Sequence, residues 1–230
     1  MVTTAQTADA LLLTSQSERV RTVYHELYHV FGPQHWWPGE TPFEVMVGAI
    51  LTQNTRWQNV HKTLMFIKQK GLLAPQDLFK HQHRLPSLLR PSGFYNVKSR
   101  RLIAFLEYFL GSYDGDAERL KQKDFLIVRN ELLAINGIGP ETADCILLYA
   151  LGFPVFVIDT YTRRIFSRHG YFFHDAPYDE LQHFFHNSLP RDVQLLNEYH
   201  ALLVRLGKGY CKKNDPRCAV CPVRDAVAMS

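Results

Sequence analysis

The chain has 230 residues, 46% of them hydrophobic and 13% aromatic, which is the composition of a folded globular protein of one large or two small domains. Its 26 lysines and arginines exceed its 22 acids by four, a mildly basic balance that is compatible with nucleic acid without requiring it. No apolar run approaches the roughly 20 residues of a membrane span, and the N-terminus does not resemble a secretory signal, so we expect a cytoplasmic protein without a membrane partner.

Apolar residues recur at three- and four-residue spacing along most of the chain, and this period predicts an all-α fold. Only the short run FPVFVID resembles a strand. In chain order, the predicted helices cover residues 17–31, 42–53, 57–71, 96–113, 141–152, 161–170, 179–189 and 195–211.

The segment LLAINGIGPETADCILL predicts a helix, a tight turn and a second helix. Gly137 and Gly139 permit backbone conformations and close approaches that a side chain would block, and Pro140 suits the first turn of the second helix. With Leu133 and Ala143, these residues form a helix-hairpin-helix pattern, which is typical of sequence-independent DNA binding. The amides at the start of the second helix would bind a phosphate.

A single acid, Asp159, stands in the apolar run that follows the hairpin. An unpaired carboxylate in such a setting is costly, so its presence needs a reason. One reason is structural, since aspartate before TYTRRIFSR is a favourable helix cap that stabilises by about 1 kcal/mol. The other is chemical, and both can hold, because capping amides would keep the carboxylate ionised and oriented.

Three of the four cysteines, Cys211, Cys218 and Cys221, fall within eleven residues near the C-terminus. In a chain expected to be cytoplasmic, such clustering points to a metal or an iron–sulfur cluster rather than to disulfides. Cys145 lies in a helical pattern and is expected to pack as a small buried side chain.

Charged groups elsewhere give weaker signals. His183 and His186 are three apart on a predicted helix but lack an evident carboxylate partner, so we interpret them as surface or interface residues.

Each basic cluster, taken alone, is typical of a solvated helix face. The clusters are Lys98 with Arg100 and Arg101, Arg163 with Arg164 and Arg168, and Lys208 with Lys212, Lys213 and Arg217.

With these motifs, the chain resembles the endonuclease III superfamily of DNA glycosylases over nearly its whole length. The segment that carries this resemblance is GIGPETADCILLYALGFPVFVIDTYTRRI. Two upstream segments are more similar to the 3-methyladenine DNA glycosylase III branch than to the pyrimidine-lesion enzymes: AILTQNTRWQNV and RPSGFYNVKSRRL. It implies a two-lobed helical protein, with residues 1–35 and 155–230 in one lobe and 36–154 in the other. It also implies a monomer that acts on damaged double-stranded DNA, associated with the nucleoid if the source is bacterial.

The resemblance assigns catalysis to Asp159, whose carboxylate would stabilise the cation-like sugar and help to position water as the base departs. Bifunctional members carry a lysine after the second hairpin glycine, which attacks the sugar as a Schiff-base nucleophile. Glu141 occupies that position here. We therefore expect removal of the base alone, leaving an abasic site.

The same resemblance places a pocket for the flipped base at Trp36, Trp37, Pro38 and Trp57. Aromatic faces would favour a cationic alkylated purine such as 3-methyladenine. Each tryptophan could instead be a core residue. Gln53 matches the residue that enters the gap left by the flipped base, although it could be an ordinary polar helix end.

The cluster pattern of the superfamily, C-x6-C-x2-C-x5-C, is incomplete here because Val227 stands at the fourth position. A [4Fe–4S] cluster could persist with an exogenous ligand or an oxygen from Asp225, or could have been lost. Lys208 matches a lysine that is carbamylated in some cluster-lacking relatives, or it contacts phosphate. Lys212 and Lys213 would contact the DNA backbone, as would the amides of the two hairpin glycines.

Three further functions remain open at this point. The scaffold could act on damaged pyrimidines or on mismatched thymine or uracil, since the absent lysine argues only against the usual enzyme for oxidised pyrimidines. A non-catalytic DNA-binding relative would keep the hairpin without needing Asp159. An iron–sulfur redox protein would need a complete set of cluster ligands.

Overall fold

The computed structural model describes the backbone of residues 4–227 and the side chains of residues 16–226. Within these ranges all regular structure is helical, which confirms the predicted all-α class. The chain divides into two compact units, one of Met1–Trp36 with Pro154–Ser230 and the other of Trp37–Phe153. The helices are α1 (Thr4–Phe31), α2 (Pro42–Thr52), α3 (Trp57–Gln69), α4 (Pro75–Lys80), α5 (Leu85–Leu88), α6 (Tyr95–Tyr113), α7 (Ala117–Lys121), α8 (Phe125–Ala134), α9 (Pro140–Cys145), α10 (Thr160–Arg168), α11 (Tyr178–Ser188), α12 (Val193–Gly209) and α13 (Arg224–Val227).

Helix α2 is the central element of the unit formed by residues 37–153. The hydroxyl of Thr41 caps it by accepting the Glu44 N–H at 3.1 Å, and Pro42 occupies the first helical position, where no N–H is needed. Every residue from 43 to 51 is buried. Apart from Glu44, which pairs with Lys68, these residues are apolar on every side of the helix, so α2 must be surrounded by other elements in the core.

Helices α8 and α9 form the predicted hairpin in this unit. Asp124 caps α8 through the Leu126 N–H at 2.8 Å, and Pro140 starts α9. Beyond α9 the chain continues through a π-helical turn, Ile146–Ala150, which packs against α2. The apolar segment CILLYA therefore anchors the second helix of the hairpin in the core of its own unit.

The other unit is built on α12, against which α1 and α10 pack. Its core contains a stacked pair, Phe156 and Phe185, with ring centroids 4.2 Å apart, and the buried Tyr199. Gly207 lets Tyr161 lie against α12, because a Cβ at this position would collide with the tyrosine side chain. This close approach brings the first turn of α10 onto α12.

The strand-like run at 153–159 forms no strand, because side chains satisfy its buried backbone instead of a neighbouring strand. The Phe156 N–H donates to His186 Nε2 at 2.9 Å, and Gln182 Nε2 donates to the Phe156 carbonyl at 2.8 Å. The Ile158 N–H is 3.2 Å from the Tyr178 hydroxyl. The interpretation of His186 as a surface or interface residue is therefore wrong, since its ring accepts a core amide.

Candidate functional site

Asp159 is the residue immediately before α10, and the structure gives it the cap geometry. Its backbone is extended, and its Oδ1 accepts the Thr162 N–H at 2.7 Å. The side chain is nonetheless buried, with 8% of the residue exposed. A cap at a solvated helix end would not need this burial, so the capping contact alone does not explain the environment of the carboxylate.

A second group faces the other oxygen of Asp159. His200 of α12 is 5% exposed, and its Nε2 lies 3.6 Å from Asp159 Oδ2. Burial by itself raises the pKa of Asp159, but the opposing contacts with His200 and Thr162 bring this pKa below its ordinary value. The balance of these effects favours the ionised form of this buried carboxyl group at neutral pH.

Lys208, also on α12, is exposed but interacts electrostatically with Asp159. Partial desolvation lowers the pKa of its amine, and the nearby carboxylate of Asp159 opposes that shift. The ammonium lies 6.0 Å from the centroid of the Tyr161 ring, which the small Gly207 admits to this face of α12. Lys208 is thus electrostatically coupled to the candidate catalytic acid. Its assignments to phosphate contact or to carbamylation stay predictions.

The hairpin turn depends on Gly137 for two reasons. Its φ of +88° lies where only glycine is comfortable, and a Cβ would collide with the side chain of Arg101 from α6. Gly139 differs, because its φ of −95° suits any residue and a Cβ there would meet nothing within 4 Å. Nothing within the described chain requires a glycine at 139, so its predicted role in admitting a phosphate stays a prediction.

The two glycines form a matched pair for a stability measurement. We expect Gly137→Ala to lower the free energy of unfolding by about 1–3 kcal/mol, through backbone strain and displacement of Arg101. Gly139→Ala should change it by less than about 0.5 kcal/mol. Urea unfolding of both variants tests this; equal losses would contradict the distinction.

Gln53, the predicted inserting residue, is bound to the hairpin. Its Nε2 donates to the Gly137 carbonyl at 3.0 Å and to Thr142 Oγ1 at 2.9 Å, while Arg101 donates to its Oε1. Insertion into DNA would require these three hydrogen bonds to break. In this structure the amide connects the end of α2 to the hairpin, and its proposed entry into DNA stays a prediction.

Two of the predicted pocket residues meet, and a third aromatic joins them. Trp37 and Trp57 are arranged edge to face, with centroids 5.1 Å apart, and Trp37 lies 5.4 Å from Tyr149 on the π-helical turn. Gly48 of α2 makes room, because a Cβ there would lie 3.1 Å from the Trp37 ring. Tyr149 was missed because it sits in an apolar helical run that reads as core.

The two remaining pocket candidates are placed differently. Pro38 is exposed and follows Trp37 in the same unit. Trp36 is partly buried and is the last residue of the first segment of the other unit. The structure therefore groups Trp37 with Trp57, and the membership of Trp36 and Pro38 in one pocket stays a prediction.

The three clustered cysteines line one cavity of about 240 Å³, together with His169. Cys211 is buried and Cys218 is exposed. Burial raises the pKa of the Cys221 thiol, and the neighbouring thiols of Cys211 and Cys218 raise it further. Within the described residues no three His, Cys, Asp or Glu side chains are arranged to hold a metal ion.

The fourth ligand of a cluster is not supplied by either position considered from the sequence. Asp225 is fully exposed, lies 3.9 Å from Arg224 and is absent from the cavity lining. Val227 carries no donor atom. The described side chains therefore do not fit a four-thiolate [4Fe–4S] site.

Two arginines of α10 hold the cysteine-bearing loop. Arg164 donates to the carbonyls of Gly207 and Cys211 at 3.1 and 2.8 Å, and Arg168 donates to those of Lys212 and Lys213 at 2.6 and 2.8 Å. The half-buried Arg164 therefore departs from the solvated basic face expected from the sequence, whereas Arg168 stays exposed while it binds these carbonyls. Lys213 is exposed and Lys212 is half-buried. Their contact with the DNA backbone stays a prediction.

Lys98 also departs from a solvated face. It is 1% exposed, and its Nζ donates to the Ser92 carbonyl at 2.7 Å. Burial, reinforced by Arg101, lowers the pKa of Lys98 to about 8. This lysine anchors the turn before α6. The helical pattern of the sequence around Lys98 could not distinguish this buried role from a position on the surface.

Comparison with known proteins gives consistent matches. The model of the family described as HhH-GPD superfamily base excision DNA repair protein matches residues 47–191. The chain is 44% identical over 210 residues to "Putative DNA repair glycosylase MJ1434" of Methanocaldococcus jannaschii, covering 90% of this chain and 95% of that relative.

Solved structures agree with this family match. The 3-methyladenine DNA glycosylase MagIII of H. pylori, bound to 1,N6-ethenoadenine, is similar with a TM-score of 0.69 and 31% identity, over 84% of this chain and 95% of that one. A non-covalent endonuclease III–DNA complex is similar in fold, with a TM-score of 0.77 and 23% identity, over 90% and 92%.

Among the described residues, no helix combines the length and apolar composition that crossing a bilayer requires. The predicted relationship to the endonuclease III superfamily is confirmed by the family match and by the identity and coverage of the relatives. The chain belongs to the HhH-GPD superfamily of base excision DNA repair proteins and is, by family, a DNA glycosylase.

Proposed function

We propose that this protein is a monofunctional glycosylase that releases alkylated purines such as 3-methyladenine from double-stranded DNA. The observation that carries the proposal is the carboxylate of Asp159, which is buried at the start of α10 and faces the Thr162 N–H and His200. Preference for a purine with a positive charge is supported by the edge-to-face pair of Trp37 and Trp57, and by the likeness to the H. pylori 3-methyladenine glycosylase.

The chemistry follows from charge. As the bond between base and deoxyribose breaks, positive charge develops on the sugar, and a fixed carboxylate stabilises it more strongly in a desolvated site than in water. Asp159 is oriented before the reaction, since Thr162 and His200 face its two oxygens. An alkylated purine is already a good leaving group, so this electrostatic contribution suffices without an acid to protonate the base.

Base removal without strand cleavage is the second part of the proposal. Glu141, where bifunctional relatives carry their nucleophilic lysine, is an exposed acid in the first turn of α9. A carboxylate cannot form the Schiff base that lyase chemistry requires. The amine of Lys208 interacts electrostatically with Asp159 and is therefore the first residue to test if cleavage occurs.

The testing experiment uses three duplexes, each with one lesion: 3-methyladenine, thymine glycol or a T·G mismatch. Release from the first, with strand breaks appearing only after hot alkali, is the expected result. Breaks without alkali that disappear in Lys208→Ala would refute the monofunctional part. Release only from the second or third would reassign the substrate. Binding to all three without release would mean a non-catalytic DNA-binding protein.

Phe94 is a further candidate for contact with DNA in the unit of residues 37–153. This phenylalanine is 67% exposed and adopts a left-handed backbone with φ of 48° directly before α6. Exposing a large apolar side chain on a strained backbone is costly, and an apolar wedge between base steps is one function that would retain it.

If Phe94 acts as a wedge, Phe94→Ala should slow release of a paired 3-methyladenine by about three- to tenfold, because the wedge offsets part of an unstacking cost of a few kcal/mol. Release of the same lesion from single-stranded DNA should change much less. The matched control is Phe173→Ala, which removes a phenylalanine that is 87% exposed in the other unit. Equal effects of Phe94→Ala on both substrates would exclude the wedge role.

A further inference from the structure

His200 is a buried titratable residue that no sequence motif assigned. It lies on α12, 41 positions after Asp159, and both residues are at least nine-tenths buried. The two oxygens of Asp159 have different partners, since Oδ1 accepts the Thr162 N–H at 2.7 Å and Oδ2 lies 3.6 Å from His200 Nε2. The carboxylate is thus constrained from its own helix and from a second one.

We propose that His200 is a positioning residue, which keeps the carboxylate of Asp159 ionised and correctly oriented for base release. The proposal rests on the catalytic role proposed for Asp159. A helix cap needs only the Thr162 contact, which leaves the carboxylate free to rotate its second oxygen. The imidazole, with its Nε2 3.6 Å from Oδ2, restricts that rotation and places a polar group opposite the second oxygen of the buried carboxylate.

The balance of effects at Asp159 gives the direction of the expected change. Burial raises the pKa of this carboxyl group, and the contacts with His200, followed by those with Thr162, outweigh burial and lower it. Without His200, of these contacts only those with Thr162 would remain to oppose burial. The pKa of Asp159 should therefore rise when His200 is replaced by a neutral side chain.

The other charged groups near this helix do not take the place of His200. From α12, the exposed Lys208 interacts electrostatically with the carboxylate, but its ammonium lies over the Tyr161 ring. On α10 itself, Arg164 is bound to the carbonyls of Gly207 and Cys211, and Arg163 to that of Ala176. These guanidinium groups are thus engaged with backbone carbonyls, and neither is bound to Asp159 in the described contacts.

The test measures the carboxyl group directly. Protein labelled with ¹³C at aspartate carboxyl carbons is titrated by NMR, and the Asp159 signal is assigned from its loss in Asp159→Asn. In His200→Gln the midpoint for Asp159 should move up by about 1–3 pH units, the range that loss of one nearby opposite charge produces. His183→Gln, which replaces an exposed histidine of α11, should leave the midpoint unchanged.

Single-turnover base release supplies the functional readout. The acid limb of the rate profile should shift upward in His200→Gln by the same amount as the NMR midpoint, with affinity for abasic-site DNA retained. If His200→Gln does not fold, His200→Asn is measured in the same way. An unchanged Asp159 midpoint in a folded variant would overturn the inference. Absence of base release from wild-type protein would instead refute the proposed function, while the NMR midpoint still decides the coupling.

Discussion

Asp159→Asn should lower the single-turnover rate of 3-methyladenine release by about 10²- to 10⁴-fold, the usual contribution of one preorganised charged or proton-transferring group. Asparagine has nearly the same shape, and its amide oxygen can still accept the Thr162 N–H that caps α10. The substitution therefore removes the charge and keeps the cap. Affinity for DNA with an abasic-site analogue should fall by less than about threefold, which a titration with labelled duplex would measure.

Asp192 offers a matched control for this variant. It caps α12 in the same unit by accepting the Leu195 N–H at 2.7 Å, but it is exposed to solvent. Asp192→Asn should therefore leave base release unchanged. If Asp159→Asn also kept a rate within threefold of wild type, the carboxylate would be a cap alone and the catalytic assignment would be wrong.

Trp37→Leu should lower release of 3-methyladenine by about 10- to 100-fold. The indole contributes stacking on the base, worth about 1–3 kcal/mol, and attraction for its positive charge, worth up to about 2 kcal/mol in a desolvated site. Leucine fills part of the space above Gly48 and beside Trp57 but has no aromatic face. The measurement is kcat/KM for excision, which reports binding in the transition state.

Trp37→Phe is the conservative control, since it retains an aromatic face in the same position. It should recover most of the lost activity. A duplex containing the uncharged base 1,N6-ethenoadenine separates the two contributions, because stacking remains and the attraction for charge does not. Equal losses for charged and uncharged bases in Trp37→Leu would exclude cation–π selection and would leave a packing role for Trp37.

Local signals explain why the hairpin and the position of Asp159 could be predicted from the sequence. Gly137 needs a positive φ, Pro140 suits a helix start, and Asp159 caps the helix that follows it, so each requirement is met within a few neighbouring residues. The all-α class was predictable for the same reason, because the helical period repeats within each segment.

Contacts between distant segments could not be read from the sequence, because no period or spacing records them. His200 approaches Asp159 only because α10 packs on α12, and Gln53 is bound to the hairpin only because α2 ends beside it. For the same reason Lys98 proved to be buried and Arg168 proved to hold a loop, although both resemble surface residues in their helices.

The amino-acid sequence by itself determined the longer helices, the turn that joins α8 to α9 and the cap at Asp159, but not the short helices α4, α5, α7 and α13. Only the tertiary structure decided which carboxylate oxygen faces an imidazole, and which basic residues hold carbonyls instead of remaining in solvent. The physical reason is that helix formation and capping depend on near neighbours in the chain. Burial, and the pKa values that follow from it, depend on whatever segment packs across the core.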